Sequence, residues 1–116
     1  MLVLIVDDNQ GLAENIAEIL EMQGYVTSVA TSAEEALPKA LEETTNVLIT
    51  DYRLPGMTGA ELVGLLQKKA VRIRAVVISA YTDEGTIAAA RNAGAAFLPK
   101  PVDFSDLSRL IGAVSA

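Results

Sequence analysis

A chain of 116 residues, 51% hydrophobic, has room for one domain with a sizeable core, so a single domain over residues 1–116 is expected. It has neither cysteine nor histidine, which excludes disulfides, thiolate and imidazole metal sites, Ser-His-Asp triads and a phosphohistidine-donor role. A net charge of −6, from 15 acidic and 9 basic residues, argues against direct binding to nucleic acid, and no apolar stretch reaches membrane-spanning length.

The chain opens with Leu2 to Val6, an unbroken apolar run that reads as a strand buried on both faces. Asp7 and Asp8 end it, two adjacent carboxylates that repel each other and resist losing water. From Gln10 to Gln23, Leu12, Ile16, Ile19 and Leu20 line one helical face, with Asn9 as cap and Gly24 as stop. Val26 to Ala30 is a short strand. Ser32 and Glu35 form a capping box that opens a helix to about Glu43, in which Pro38 is expected to cause a kink or a late start. Val47 to Thr50 is a third strand, ending at Asp51 and followed by a turn at Pro55-Gly56.

Thr58 and Glu61 make a further capping box ahead of Leu62, Val63, Leu65 and Leu66. Ile73 to Ile78 is apolar apart from Arg74 and ends at Ser79. A helix from about Asp83 to Ala93 stops at Gly94. Ala96 to Leu98 is a short, central-looking strand that runs into Pro99, Lys100 and Pro101. Asp103 caps a last helix with Leu107, Leu110, Ile111 and Val114 on one face.

Five apolar strands, each followed by a helix, predict a parallel sheet with helices on both faces. Sites in such sheets form beyond the carboxyl ends of the strands. Those ends carry Asp7 and Asp8, Asp51, Ser79 and Lys100, whereas the strand ending at Ala30 and Thr31 offers little. Three carboxylates in one crevice need a cation, and an all-oxygen site with room for water suits Mg²⁺. With Lys100 as a fixed positive charge and Ser79 as a hydroxyl donor, the crevice is suited to an incoming phosphoryl group and an Asp nucleophile.

In these motifs the chain resembles the receiver domain of two-component response regulators over essentially its whole length. The resemblance implies a flavodoxin-like, doubly wound (βα)5 fold of the α/β class with strand order 2-1-3-4-5. VDDN is similar to the family's metal site, implying Asp7, Asp8, Asp51 and the backbone carbonyl of Arg53 as the Mg²⁺ ligands. LITDYRLPGMTG places Asp51 at the aspartate phosphorylated by a sensor histidine kinase or a histidine phosphotransfer protein. VVISAY places Ser79 at the switching hydroxyl, followed by the small Ala80. FLPKPV places Lys100 at the lysine that pairs with the phosphoryl group, Pro101 after a bond that is usually cis, and Phe97 at the aromatic that swings inward on activation.

The resemblance also implies a protein that catalyses only its own phosphorylation and dephosphorylation. Arg53 and Tyr81, each two residues after a functional position, stand where family members vary and tune phosphoryl lifetime. Ser79 is expected to have little to hold it until the phosphoryl group arrives. Its movement would carry residues 80–84, turn Phe97 from exposed to buried, and reshape the face of the fourth helix, last strand and last helix. That face carries Arg91, Arg109, Asp103 and Asp106, mixed charge for a homodimer or an output-domain contact.

Other classes remain distinguishable. An aspartyl-nucleophile phosphatase needs a second Asp two residues after the first, where Asp7 is followed by Asn9 and Asp51 by Arg53. A flavodoxin-like cofactor binder needs a Ser/Thr/Gly-rich phosphate loop, where this chain has the acidic DDNQG. A phosphorylation-independent receiver normally lacks one of the acidic, hydroxyl or lysine positions, all of which are filled here. The start of the chain has no signal-peptide pattern, which with the composition predicts a soluble, cytoplasmic protein. Whether it acts alone or as part of a longer regulator stays open.

Overall fold

The computed structural model describes residues 2–42, 45–69 and 73–115, with side chains as far as Gly112. In chain order the elements are β1 (Leu2–Val6), α1 (Gln10–Met22), β2 (Val26–Ala30), α2 (Ala33–Glu42), β3 (Val47–Asp51), β4 (Arg53–Leu54), β5 (Met57–Thr58), α3 (Gly59–Lys68), β6 (Arg74–Ser79), α4 (Glu84–Asn92), β7 (Ala96–Pro99) and α5 (Phe104–Ser115). The main sheet is parallel in the order β2-β1-β3-β6-β7, which is 2-1-3-4-5 when its own strands are counted alone. The last strand is therefore at an edge rather than in the centre.

Alternation along the strands sorts the core into two layers. Leu4, Val6, Leu48, Ala75 and Val77 pack with Ala36 and Ala40 of α2, Leu62 and Leu66 of α3 and Ala90 of α4. Val3, Ile5, Val47, Ile49, Val76 and Ile78 pack on the opposite face with Ile16 and Leu20 of α1 and Leu107 and Ile111 of α5. A sheet covered on both faces explains why its strands read as continuous apolar runs.

The caps mostly follow the sequence. Asn9 accepts from the Leu12 amide, and Thr58 and Glu61 form a reciprocal capping box. The Asp83 carboxylate accepts from both the amide and the hydroxyl of Thr86. In the second helix the Ser32 hydroxyl accepts from the Glu35 amide, but the Glu35 carboxylate turns to the amide and hydroxyl of Thr31 instead of Ser32. Pro38 neither delays nor ends α2, which starts at Ala33 and runs through it to Glu42. Pro38 is on the exposed face, where water can take the Glu34 carbonyl that lacks an amide partner. The expected end at Glu43 lies outside the described residues, as does the side chain of Val114. On the outer edge of β2, Lys39 Nζ donates to the Val29 carbonyl at 2.7 Å and blunts that edge.

An element absent from the sequence reading is the small antiparallel hairpin of β4 and β5, which pairs Arg53 with Thr58 and Leu54 with Met57. Pro55 and Gly56 form its tip, with Gly56 at φ 81°, the left-handed position that a type II turn gives to glycine. The hairpin returns the chain so that the Gly59 amide donates to the Tyr52 carbonyl at 2.7 Å. A Cβ on Gly59 would lie 2.3 Å from the Asp51 carbonyl oxygen and 2.9 Å from Thr50 Cγ2. The start of α3 thus presses directly on the backbone of the third strand's end, and only glycine fits there. Gly59→Ala should destabilise the fold by about 3 kcal/mol, the upper part of the usual range for overpacking. Denaturant unfolding of the two proteins measures this directly.

Candidate functional site

Strand register brings the polar strand ends together. Val6 pairs with Thr50, so Asp7 and Asp51 are level on neighbouring strands. Asp51 pairs with Ile78, and Ser79 with Pro99, so Ser79 and Lys100 arrive at the same edge. Carboxylate oxygens of Asp7, Asp8 and Asp51 lie within 4.8 Å of one another. Lys100 Nζ is 3.3 Å from Asp51 Oδ1 and 3.5 Å from Asp7 Oδ2. One lysine therefore reaches two of the three clustered acids.

Burial grades the three acids. Asp7 is buried, Asp51 half-buried and Asp8 exposed. Asp7 is held by its own loop, with Oδ1 accepting from the Asn9 amide at 2.9 Å. Its backbone amide donates to the Ala30 carbonyl. The Asp51 carboxyl is raised above its ordinary value, first by burial and next by the charge of Asp7, while Lys100 pulls the other way. The backbone around it is immobilised from three sides. Thr50 Oγ1 donates to the Asp51 carbonyl at 3.0 Å, the Tyr52 amide donates to the Ile78 carbonyl at 2.8 Å, and Gly59 closes from above.

Lys100 stands between Pro99 and Pro101, whose rings fix φ on either side. The Lys100–Pro101 bond is cis. The Lys100 amide donates to the Ser79 carbonyl at 2.8 Å, which ties the lysine's backbone to the end of β6.

Ser79 is not loosely held, contrary to the expectation from sequence. It is 1% exposed, and its Oγ accepts from the Tyr81 amide at 2.9 Å. The reason is local: a hydroxyl two residues before a free amide in a turn closes on that amide. Alternation puts Asp7, Asp51 and Lys100 on the α1–α5 side of the sheet and Ser79 with Phe97 on the other. Phe97, paired with Val77 and so diagonal to Ser79, is half-buried against the α2–α3–α4 layer rather than exposed. Ala80 is exposed.

Two features escaped the sequence reading. Gly59 closes the motif that contains Asp51, and its signal was a glycine immediately after a capping residue. The Arg53 guanidinium lies over the Tyr81 ring, 4.2 Å from its centroid, and no spacing rule connects those two positions. The mixed charge on the last helix is partly committed: Arg109 pairs with Asp106 within α5, and Asp103 caps the same helix. Among the described residues no helix is long and apolar enough to cross a membrane.

The sequence profile of the response regulator receiver domain matches residues 3–112. A response regulator receiver protein of Anaeromyxobacter sp. (strain Fw109-5) is 45% identical over 100 residues, covering 85% of this chain and 42% of that protein. The transcriptional regulatory protein FixJ of Rhizobium meliloti is 35% identical over 102 residues, covering 87% of this chain and 50% of FixJ. The chain thus spans half or less of the length of these two curated relatives. A solved CheY-like receiver domain protein from Methanospirillum hungatei JF-1 matches with a TM-score of 0.90 at 31% identity, over 98% of this chain and 93% of that one. Phosphoryl transfer to an aspartate is the general function of such domains in two-component signalling. Fold, register and sequence agree, and the chain belongs to the response regulator receiver domain family.

Proposed function

We propose that Asp51 is the phospho-acceptor of this chain, taking a phosphoryl group from a sensor histidine kinase or a histidine phosphotransfer protein. The observation that carries this reading is the three-carboxylate cluster at the carboxyl edge of the sheet, with Lys100 against Asp7 and Asp51. One Asp51 oxygen attacks phosphorus, and the bond from phosphorus to the imidazole nitrogen breaks. The imidazole leaves with the bonding electrons, and an acyl phosphate remains on Asp51. Attack of water on that phosphorus releases inorganic phosphate and restores the carboxylate. The protein turns over nothing but itself. A cytoplasmic location goes with this reading.

Lys100, already within reach of the Asp51 carboxylate, stabilises the negative oxygens of the phosphoryl group. The carboxylate cluster fits a hard divalent cation, which Asp8 and Asp51 would hold directly with the Arg53 carbonyl, and Asp7 partly through water. Mg²⁺ held there would neutralise charge on the carboxylates and on the phosphoryl oxygens. Ser79 then turns its hydroxyl toward the new oxygens, and Phe97, on the same face of the sheet, follows into the space released. The α4–β7–α5 face changes shape and serves a second copy or an output domain.

The electrostatics of Asp51 carry a consequence for stability. Because its carboxyl is raised in the folded state, the ionised form is penalised there. Below the ordinary carboxylate range the group is protonated whether folded or unfolded and the penalty vanishes; it grows as pH rises through the folded value.

Treatment with a small acyl-phosphate donor and Mg²⁺ should add one phosphoryl group, seen by mass spectrometry and absent from Asp51→Asn. Undiminished labelling of that variant would remove Asp51 from the role. In metal-free buffer at neutral pH, Asp51→Asn should melt above the parent, and the gap should close on acidification toward pH 3.8. Mg²⁺ at a hundredfold excess over Kd should stabilise the parent by about 2.7 kcal/mol. Asp8→Asn should melt higher than the parent without metal and lose that response; a retained response contradicts the ligand assignment.

A further inference from the structure

We propose that Arg53 and Tyr81 form a latch that holds the loop after β6 in its unphosphorylated arrangement. They act as a positioning pair that sets how much of the protein occupies the switched state before a phosphoryl group arrives. The inference rests on the reading of Asp51 as acceptor and Ser79 as the responding hydroxyl.

Tyr81 is tied to two bodies at once. Its amide donates to Ser79 Oγ at 2.9 Å, and its ring lies under the Arg53 guanidinium at 4.2 Å. Arg53 belongs to the fixed side. It pairs with Thr58 in the hairpin, and the Gly59–Tyr52 hydrogen bond and the contact of Gly59 with Asp51 anchor that hairpin to the third strand. Tyr81 belongs to the loop that must move with Ser79.

When Ser79 Oγ swings toward a phosphoryl group on Asp51, Tyr81 has two courses. Its amide can follow the oxygen, in which case the ring leaves Arg53. Alternatively the ring stays, and the amide loses its acceptor. Either course breaks one of the two contacts, so the stack opposes the switch. A cation over an aromatic face at an exposed site is worth a two- to fivefold shift in a two-state equilibrium, about 0.5–1 kcal/mol. The apparent affinity of a ligand that binds the switched state changes by the same factor, because a binding-competent state populated in small fraction weakens apparent affinity in proportion.

The test uses the full chain with saturating Mg²⁺ and beryllofluoride, which mimics the acyl phosphate. Amide spectra without beryllofluoride report the resting population, and a titration reports the apparent Kd. Arg53→Gln and Tyr81→Leu should each move the resonances of residues 80–84 and 97 part of the way toward their beryllofluoride-bound positions. Each should also lower the apparent Kd roughly two- to fivefold. Tyr81→Phe keeps the ring and should behave as the parent. The double variant should go no further than either single one, because both remove the same contact. Unmoved resonances in the single variants, additive effects in the double, or Tyr81→Phe behaving like Tyr81→Leu would overturn the latch while leaving the acceptor assignment intact. A parent whose residues 80–84 and 97 ignore beryllofluoride altogether would overturn the switch reading, and the latch with it.

Discussion

Three carboxylates crowd together at the edge of the sheet, two of them within reach of one lysine, and most of the local structure exists to hold them there. Like charges at this separation repel, and burial adds to the cost of keeping Asp51 ionised. The cost is sustained because each group is fixed by something other than its own charge. Asp7 follows a strand buried from Val3 to Val6 and accepts from Asn9, Asp51 is braced by Thr50, Ile78 and Gly59, and Lys100 sits between two prolines. A site assembled this way holds its charges in place before a ligand arrives, so little reorganisation is left for the chemistry itself.

The parallel sheet also separates the proposed acceptor site from the proposed switch. Asp7, Asp51 and Lys100 occupy the α1–α5 side, Ser79 and Phe97 the side of α2, α3 and α4, and the strand ends connect the two. Among the described residues of α4 only Thr86 and Ala90 are buried, while α1 buries Ala13, Ile16, Ala17 and Leu20. A helix anchored by so little apolar surface has a low cost of local displacement. The helix that follows the Ser79 loop, and that the proposed switch would move, is thus also among those least tied to the core.

Much of this was legible in the order of residues. Apolar runs ending in Asp7, Asp51, Ser79 and Lys100 predicted both the parallel sheet and the shared edge, because the carboxyl ends of parallel strands can point only one way. The caps at Asn9, Thr58 and Asp103 were readable because they depend on contacts three residues away. Local chemistry also misled: Pro38 argued for a kink or a late start, yet α2 starts at Ala33, and burial of Ala33, Ala36 and Ala40 on the other face carries the helix through it.

What the sequence by itself determined was which residues reach the site, since strand period and strand polarity depend only on order. What the tertiary structure alone decided was how those residues touch. Gly59 against the Asp51 backbone, Phe97 half-buried on an edge strand, and Arg53 over Tyr81 are all contacts between segments brought together by folding. Their distances follow from strand register and from the packing of α3 on the third strand, and neither is encoded by neighbours in the chain.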